Sequence, residues 1–369
     1  MKRSAPIVSI CMVTFGALES VRAAIESVRM HTTMPYQLVV VDNGSTDGTR
    51  EWLRTQLEED EYIESPTNTG FSGGNNLAVN SATAPFVCLL NSDTIVPQNW
   101  LEPLVAAFAH DPGLGIAVPL LLNRDGTVQE AGCSTDATGR AEPMFYGAAS
   151  TSDRVSTPRS IAYGSAACWL LRTAMYRELG GLDCGYGLVY YEDVDFAFTL
   201  RARGLRVQLV PAVHVVHAQG ASSNPDAAVR LRDIQQNRFA YRHATDLAHH
   251  SHIYDLDNEP HRFAAARDVD CATRTLYVLG TAEEVRSLYD QIRATVPFAS
   301  GHHSLCTTTA QTLPFVSQRA DIAVYSNGVH QCLDQHLFHF SEVRAPRDWL
   351  DHNTALLQVT QPQAETSSL

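Results

Sequence analysis

The chain has 369 residues, 44% hydrophobic and 18% charged, with a formal net charge of −13. That length suits two domains at roughly 150 residues each, and the composition supports a packed core and excludes global disorder. The excess of acid excludes a general nucleic-acid binder, which needs clustered Lys and Arg against phosphate. The longest apolar runs fall short of the ~18 residues a membrane-spanning helix needs.

The opening stretch, MKRSAPIVSICMVTFG, is basic and then apolar, but too short and poorly ended for a leader peptide. It reads as a first strand over 7–13. A helix follows over 19–31, with Val21, Ala24, Ile25 and Val28 on one face. Then come a strand at 37–41 (QLVVV), a helix at 49–57, a helix at 71–81 and a strand at 86–90 (FVCLL). This alternation predicts an α/β domain: a mostly parallel central sheet with flanking helices. Ligands of such sheets gather at the carboxyl ends of the strands. Thr14, Asp42, Asn91 and Asp93 follow those ends.

Farther along, a helix is predicted over 100–110 and a short strand over 115–119. The stretch 123–159, rich in Gly, Ser, Thr and Asp, reads as a long mobile connection. A strand over 162–172 and a helix over 173–179 precede Gly180 and Gly181. A helix over 192–203 ends at Gly204. Two strands (206–210 and 213–217) and a helix (227–243) complete a domain of residues 1–242. Residues 243–270, rich in His and Asp at the start, read as a linker or exposed helix. Strands at 275–279, 304–308 and 322–325 and a helix at 282–295 predict a small α/β unit over 271–357, before a disordered polar tail at 358–369. The eight cysteines lack any C-x-x-C pair and read as buried free thiols of a reducing compartment.

Four segments carry candidate chemistry. Asn91–Ser92–Asp93 places a carboxylate where a strand opens to solvent. A hard divalent ion that bridges a diphosphate needs only one or two such ligands; a turn cap before Pro97 is the structural alternative for the acid. In YYEDVD, Glu192, Asp193 and Asp195 open a helix. Acids there offset free N–H groups and the macrodipole, yet one of them beside a pocket would serve as a general base. His217 ends a strand and has the chemistry of a metal ligand or of a hydrogen-bonded core histidine. His214, three residues before it, faces the opposite side. The segment TNTGFSGGNN supplies Gly70, Gly73 and Gly74 for close backbone approach and Asn75 and Asn76 as polar contacts. Neither the phosphate-loop motif nor a G-x-G-x-x-G after the first strand is present, against ATPase and dinucleotide-dehydrogenase readings.

In order, VSICMVTFG, VVVDNGSTDGT, NTGFSGGNN, FVCLLNSDT, GGLDCGYGLVYYEDVDFAFTLRARG and VVHAQGAS resemble family 2 glycosyltransferases of the GT-A fold, in their rhamnosyltransferase-like branch. The resemblance spans about residues 7 to 225. It implies an inverting transfer of a sugar from a nucleoside-diphosphate sugar, UDP- or dTDP-linked, to an acceptor hydroxyl in polysaccharide, O-antigen or other glycoconjugate synthesis. By position, Thr14, Asp42, Asn75, Asn76 and Asp93 would bind the donor. Asp93 and His217 would hold Mg²⁺ or Mn²⁺, which stabilises the diphosphate leaving group. Asp193 would be the base with Glu192 beside it, and Trp169, Tyr186, Tyr190 and Tyr191 the acceptor wall. Asn91 departs from the usual D-x-D by replacing its first acid.

The resemblance further implies a glycan, lipid-linked or small-molecule acceptor and a cytoplasmic location, with peripheral attachment to the membrane's inner face. The C-terminal unit, outside the resemblance, is open to acceptor binding, homo-oligomer formation or a separate activity. Two alternatives stand beside it: a silent nucleotide- or sugar-binding module, and a sugar-1-phosphate nucleotidyltransferase. The second expects a basic Gly-rich loop where this chain has VTFGALES.

Overall fold

The computed structural model describes residues 5–59, 61–135, 138–152, 155–156, 158–218 and 225–247, with four strands beyond them. Two compact units emerge, Met1–Ala248 and His249–Leu369.

The first unit begins with β1 (Val8–Thr14), α1 (Leu18–His31), β2 (Tyr36–Asp42), α2 (Thr49–Gln56), β3 (Tyr62–Glu64), α3 (Gly70–Asn80) and β4 (Phe86–Asn91). Then come β5 (Thr94–Ile95), α4 (Leu101–His110), β6 (Leu114–Leu122), β7 (Val128–Glu130), β8 (Cys133–Thr135), β9 (Ala141–Pro143) and β10 (Arg159–Ile161). It closes with β11 (Cys168–Arg172), α5 (Thr173–Glu178), α6 (Glu192–Arg201), β12 (Arg206–His217), α7 (Pro225–Arg242) and α8 (Ala244–Leu247).

The main sheet runs β10-β12-β6-β11-β4-β1-β2-β3, with β5 on β12 and β7 on β6. Strands β3, β2, β1, β4, β6 and β12 share one direction, and β11 runs against its neighbours β4 and β6. The carboxyl ends of six strands therefore meet at one edge, where β11 begins. β1, β2, β4 and β6 are apolar and buried along almost their whole length, as strands covered on both faces must be. α1 packs Val21, Ala24, Ile25 and Val28 into the core, and full burial of each larger side chain stabilises by roughly 1.5–3 kcal/mol. α3 lies so close to β1 that a Cβ at Gly74 would meet the Val13 side chain.

Four expectations need correction. The predicted strands at 206–210 and 213–217 are one strand, β12, irregular between Val210 and His214. Pro211, which has no N–H, sits there, and Pro119 pairs with Val210 across from it. The short strand predicted at 115–119 does not stop at its proline but runs to Leu122, resuming its pairing with β12 at Leu120 and His214. The stretch 123–159, expected to be a mobile connection, holds β7 to β10, and Gln129, Glu130, Cys133, Ser134 and Thr135 are buried. Residues 244–247 of the predicted linker form α8, with His243 and Leu247 buried within the first unit. The rest of the linker, the helix at 282–295 and the tail at 358–369 lie outside the described residues.

In the second unit β13 (Leu276–Gly280), β14 (His303–Thr307), β15 (Ile322–Tyr325) and β16 (Val343–Arg344) pair in the order β14-β13-β15-β16, all parallel. The three strands predicted there match β13, β14 and β15 within a residue.

Candidate active site

At the carboxyl edge, the turn after β4 is closed by Thr94 Oγ1 donating to Asn91 O at 2.7 Å. That leaves the Asp93 carboxylate free of the capping task. β5 pairs with the end of β12, placing His217 opposite Thr94, and Ala218 N donates to Asp93 O at 2.9 Å. Asp93 Oδ1 and His217 Nε2 thus lie 3.2 Å apart. Asn91 Nδ2 is also 3.2 Å from Nε2, and His217 Nδ1 is 2.7 Å from Gln129 Oε1. His217 is 8% exposed, whereas His214 is exposed, as alternation requires. Among the described residues no group of three or more His, Cys, Asp and Glu surrounds a common point. An Asp–His pair is nonetheless sufficient for an ion completed by a diphosphate and water.

The acids of YYEDVD divide by helix geometry. Asp195 turns inward, accepting from Tyr186 Oη at 3.0 Å, 2.9 Å from His243 Nε2 and paired with Arg242. It anchors α6 to α7. Asp193 turns to the sheet edge, where Val194 N and Ala166 N donate to its carboxylate at 2.8 and 3.3 Å. Burial raises its pKa above the ordinary carboxylate value, outweighing the opposing N–H groups. Glu192 is 4% exposed, and among the described residues its Oε2 finds no hydrogen-bond partner. Burial, with the charge of Asp193 adding, pushes its pKa up to about 8. Tyr190 and Tyr191 just before it have φ of 82° and 71°. Consecutive left-handed non-glycine residues cost on the order of 1–3 kcal/mol each and gather at functional sites.

Sequence reasoning missed Gln129 and Glu130. Glu130 accepts from Ser165 N at 2.8 Å, one residue before the N–H that holds Asp193. Burial raises its pKa to about 7, and its charge is felt with those of Asp193 and His217. No sequence signal marks this pair, because β7 is a three-residue strand made by its pairing to β6.

The remaining expected residues are heavily engaged within the fold. Thr14 closes β1 and donates to Gly16 O at 2.9 Å. Asp42 closes β2 with no exposed surface, accepting from Ser45 N at 3.0 Å and Arg50 Nε at 2.8 Å. Asn75 donates to Phe71 O, and the Asn76 amide bridges Leu182 N, Leu182 O and Tyr176 Oη. Trp169 is wholly buried, its Nε1 donating to Gly164 O at 2.7 Å, and Tyr186 is likewise buried. Tyr191 donates to Gly139 O. Tyr190 is half-buried, with the Arg232 guanidinium 5.1 Å from its ring centre. Of the expected acceptor wall, Tyr190 alone keeps substantial exposed surface in this conformation. Of the cysteines described, Cys11, Cys88, Cys133 and Cys168 are buried free thiols, and Cys184 is an exposed one.

Known proteins are similar to this chain in sequence and fold. The sequence model of "Glycosyl transferase family 2" matches residues 9–180. An O-antigen biosynthesis protein, RfbC, of Myxococcus xanthus is 29% identical over 241 residues, covering 61% of this chain and 18% of its own. An uncharacterized protein, y4gI, of Sinorhizobium fredii is 27% identical over 266 residues, covering 67% of this chain and 29% of its own. The chain thus spans under a third of the length of these two relatives. The N-acetylglucosaminyl-diphospho-decaprenol L-rhamnosyltransferase of Mycobacterium tuberculosis is 24% identical over 247 residues, covering 61% of this chain and 80% of its own. The crystal structure of GalNAc-T7 with UDP, GalNAc and Mn²⁺ aligns with a TM-score of 0.52 at 16% identity, covering 64% of this chain and 48% of that one, which establishes the shared fold. Over residues 9–180, this chain is thus similar to glycosyl transferase family 2.

Proposed function

We propose that the chain is an inverting glycosyltransferase that moves a sugar from a UDP- or dTDP-linked donor to an acceptor hydroxyl in polysaccharide or O-antigen-type glycan synthesis. The observation that carries this reading is one sheet edge that holds an Asp93–His217 pair and a backbone-held, half-buried Asp193. The names of the Myxococcus and Mycobacterium relatives support the glycan class.

In this reading Asp93 and His217 hold Mn²⁺ or Mg²⁺; two acceptor atoms facing each other at 3.2 Å suit a shared cation. Such an ion supplies positive charge to a nucleoside diphosphate. The nucleoside lies over the ends of β1 and β2. Thr14 and Asp42 shape its floor, and Asn75 and Asn76 brace α3 beside it. Asp193 takes the proton of the acceptor hydroxyl. Its raised pKa improves it as a base, and the N–H groups of Val194 and Ala166 keep it aimed. Glu192, with its pKa near 8, holds a proton at neutral pH and so spares Asp193 a second charge beside it. Tyr190 faces the acceptor. Among the described residues no helix is long and apolar enough to cross a membrane; a lipid-linked acceptor would be met at the membrane surface, and the second unit is proposed to serve acceptor binding or self-association.

A panel of UDP-, dTDP- and GDP-sugars with Mn²⁺ tests the reading. Slow release of nucleoside diphosphate from at least one donor is expected. Tight nucleotide binding with no turnover of any donor would indicate a silent binding module instead.

A further inference from the structure

A neutral histidine offers a metal only the ring nitrogen that lacks a proton, so the tautomer of His217 decides whether Nε2 can serve. The tautomer can be read from backbone carbonyls, which only accept. Val128 O lies 3.4 Å from the Asn123 side-chain amide, which also meets Thr127 Oγ1 at 3.0 Å. Asn123 must therefore turn Nδ2 that way, leaving Oδ1 to face Gln129 at 3.2 Å. His217 O, a second acceptor, lies 2.9 Å from the same Gln129 atom. Both contacts require that atom to be Nε2, so Oε1 is the atom 2.7 Å from His217 Nδ1. An amide oxygen cannot donate, so Nδ1 carries the proton. In the neutral ring Nε2 then keeps a bare lone pair, which faces Asn91 Nδ2 and Asp93 Oδ1.

We propose that Gln129, oriented by Asn123 and by the carbonyl of His217 itself, is a positioning residue that locks His217 in the Nδ1–H tautomer and so presents Nε2 to a divalent cation. Asn91 completes the lock from the other side. An amide donates to a bare Nε2, whereas an acid at that position would accept and draw the proton onto it. This gives the asparagine of NSD a role. The consequence for metal rests on the Asp93–His217 reading above; the tautomer itself does not. The hairpin from the end of β6 into β7 thus acts on the metal pair through the far ring nitrogen of one ligand, His217, rather than as a ligand itself, and partners of this kind commonly change metal affinity 10–100-fold when lost.

The test is long-range ¹H–¹⁵N correlation spectroscopy of the metal-free, ¹⁵N-histidine-labelled full chain, with His217 assigned by its loss in His217→Asn. The wild-type ring is expected to be protonated at Nδ1 and bare at Nε2. Gln129→Leu should lose that single tautomer, and Gln129→Glu, which still accepts from Nδ1, should keep it. Mn²⁺ titrated alone by water-proton relaxation should bind 10–100-fold more weakly to Gln129→Leu and recover in Gln129→Glu. A wild-type ring protonated at Nε2 would overturn the proposal whatever the variants do. So would a folded Gln129→Leu protein with an unchanged tautomer. If His217→Asn binds Mn²⁺ as tightly as wild type, the metal reading falls, and the tautomer measurement still decides the lock.

Discussion

His217 Nε2 lies 3.2 Å from Asp93 Oδ1, and backbone pairing sets that distance: β5 joins β12 at Thr94 and His217, while Ala218 N donates to Asp93 O. Two residues 124 positions apart in the sequence thereby present an oxygen and a nitrogen to one point. The expected outcome is that EDTA weakens nucleoside diphosphate binding by tenfold or more, about 1.4 kcal/mol. Asp93→Asn and His217→Asn should each remove that sensitivity. Calorimetric titration of UDP and dTDP with and without Mn²⁺ checks it. Equal affinity in EDTA would remove Asp93 from the metal role.

The buried acids predict an unusual pH dependence of stability. Burial raises the pKa of Glu192 to about 8 and of Glu130 to about 7, against an ordinary value of 4.5. Between these limits the native state binds more protons than the unfolded one, so stability falls as pH rises. Each group contributes a slope of at most about 1.4 kcal/mol per pH unit. Urea unfolding of wild type should show the loss from about pH 5 to pH 8, and Glu192→Gln should flatten it and be the more stable protein at pH 8. A stability that rises across this range would refute the burial account.

Asp42 gives a prediction that separates support from contact. Its carboxylate has no exposed surface and accepts from Ser45 N and Arg50 Nε. Asp42→Ala leaves the buried Ser45 N–H unsatisfied, which costs about 1–3 kcal/mol. A lower urea midpoint without ligand is expected, together with weaker nucleotide binding. Full stability with lost binding would mean that the carboxylate contacts the ligand directly.

Trp169 likewise steadies the site from beneath it. Its Nε1 holds Gly164 O, and the loop it steadies supplies the N–H groups of Ser165 and Ala166 to Glu130 and Asp193. Trp169→Phe should lower stability by about 1–3 kcal/mol through the lost hydrogen bond and the gap, and should lower kcat more than it raises the acceptor KM. A change confined to the acceptor KM would show that Trp169 meets the acceptor.

What was legible in the sequence follows from locality. β1, β2 and β4 are unbroken apolar runs because both faces are covered, and α1 shows its 3.6-residue stripe because only one face is. Asp93, Asp193 and His217 stood out as polar residues at element ends. β7 to β10 did not, since strands of three residues exist through long-range pairing rather than local pattern. The different fates of Asp193 and Asp195 were also hidden, although residues two apart on a helix point to nearly opposite sides. Gln129 and Glu130 gain their roles only once the hairpin folds back onto His217 and Ser165. The left-handed tyrosines carry no sequence mark, since φ > 0 is a glycine's habit.

In the proposed function Asp193 is the base of a glycosyl transfer. The most direct measurement compares sugar transfer and nucleoside diphosphate binding in wild type and Asp193→Asn, using a donor identified by turnover. Unchanged nucleotide affinity with transfer reduced at least 100-fold is expected, within the range a positioned base contributes, about 10²–10⁴. Transfer by Asp193→Asn at the wild-type rate would contradict the account.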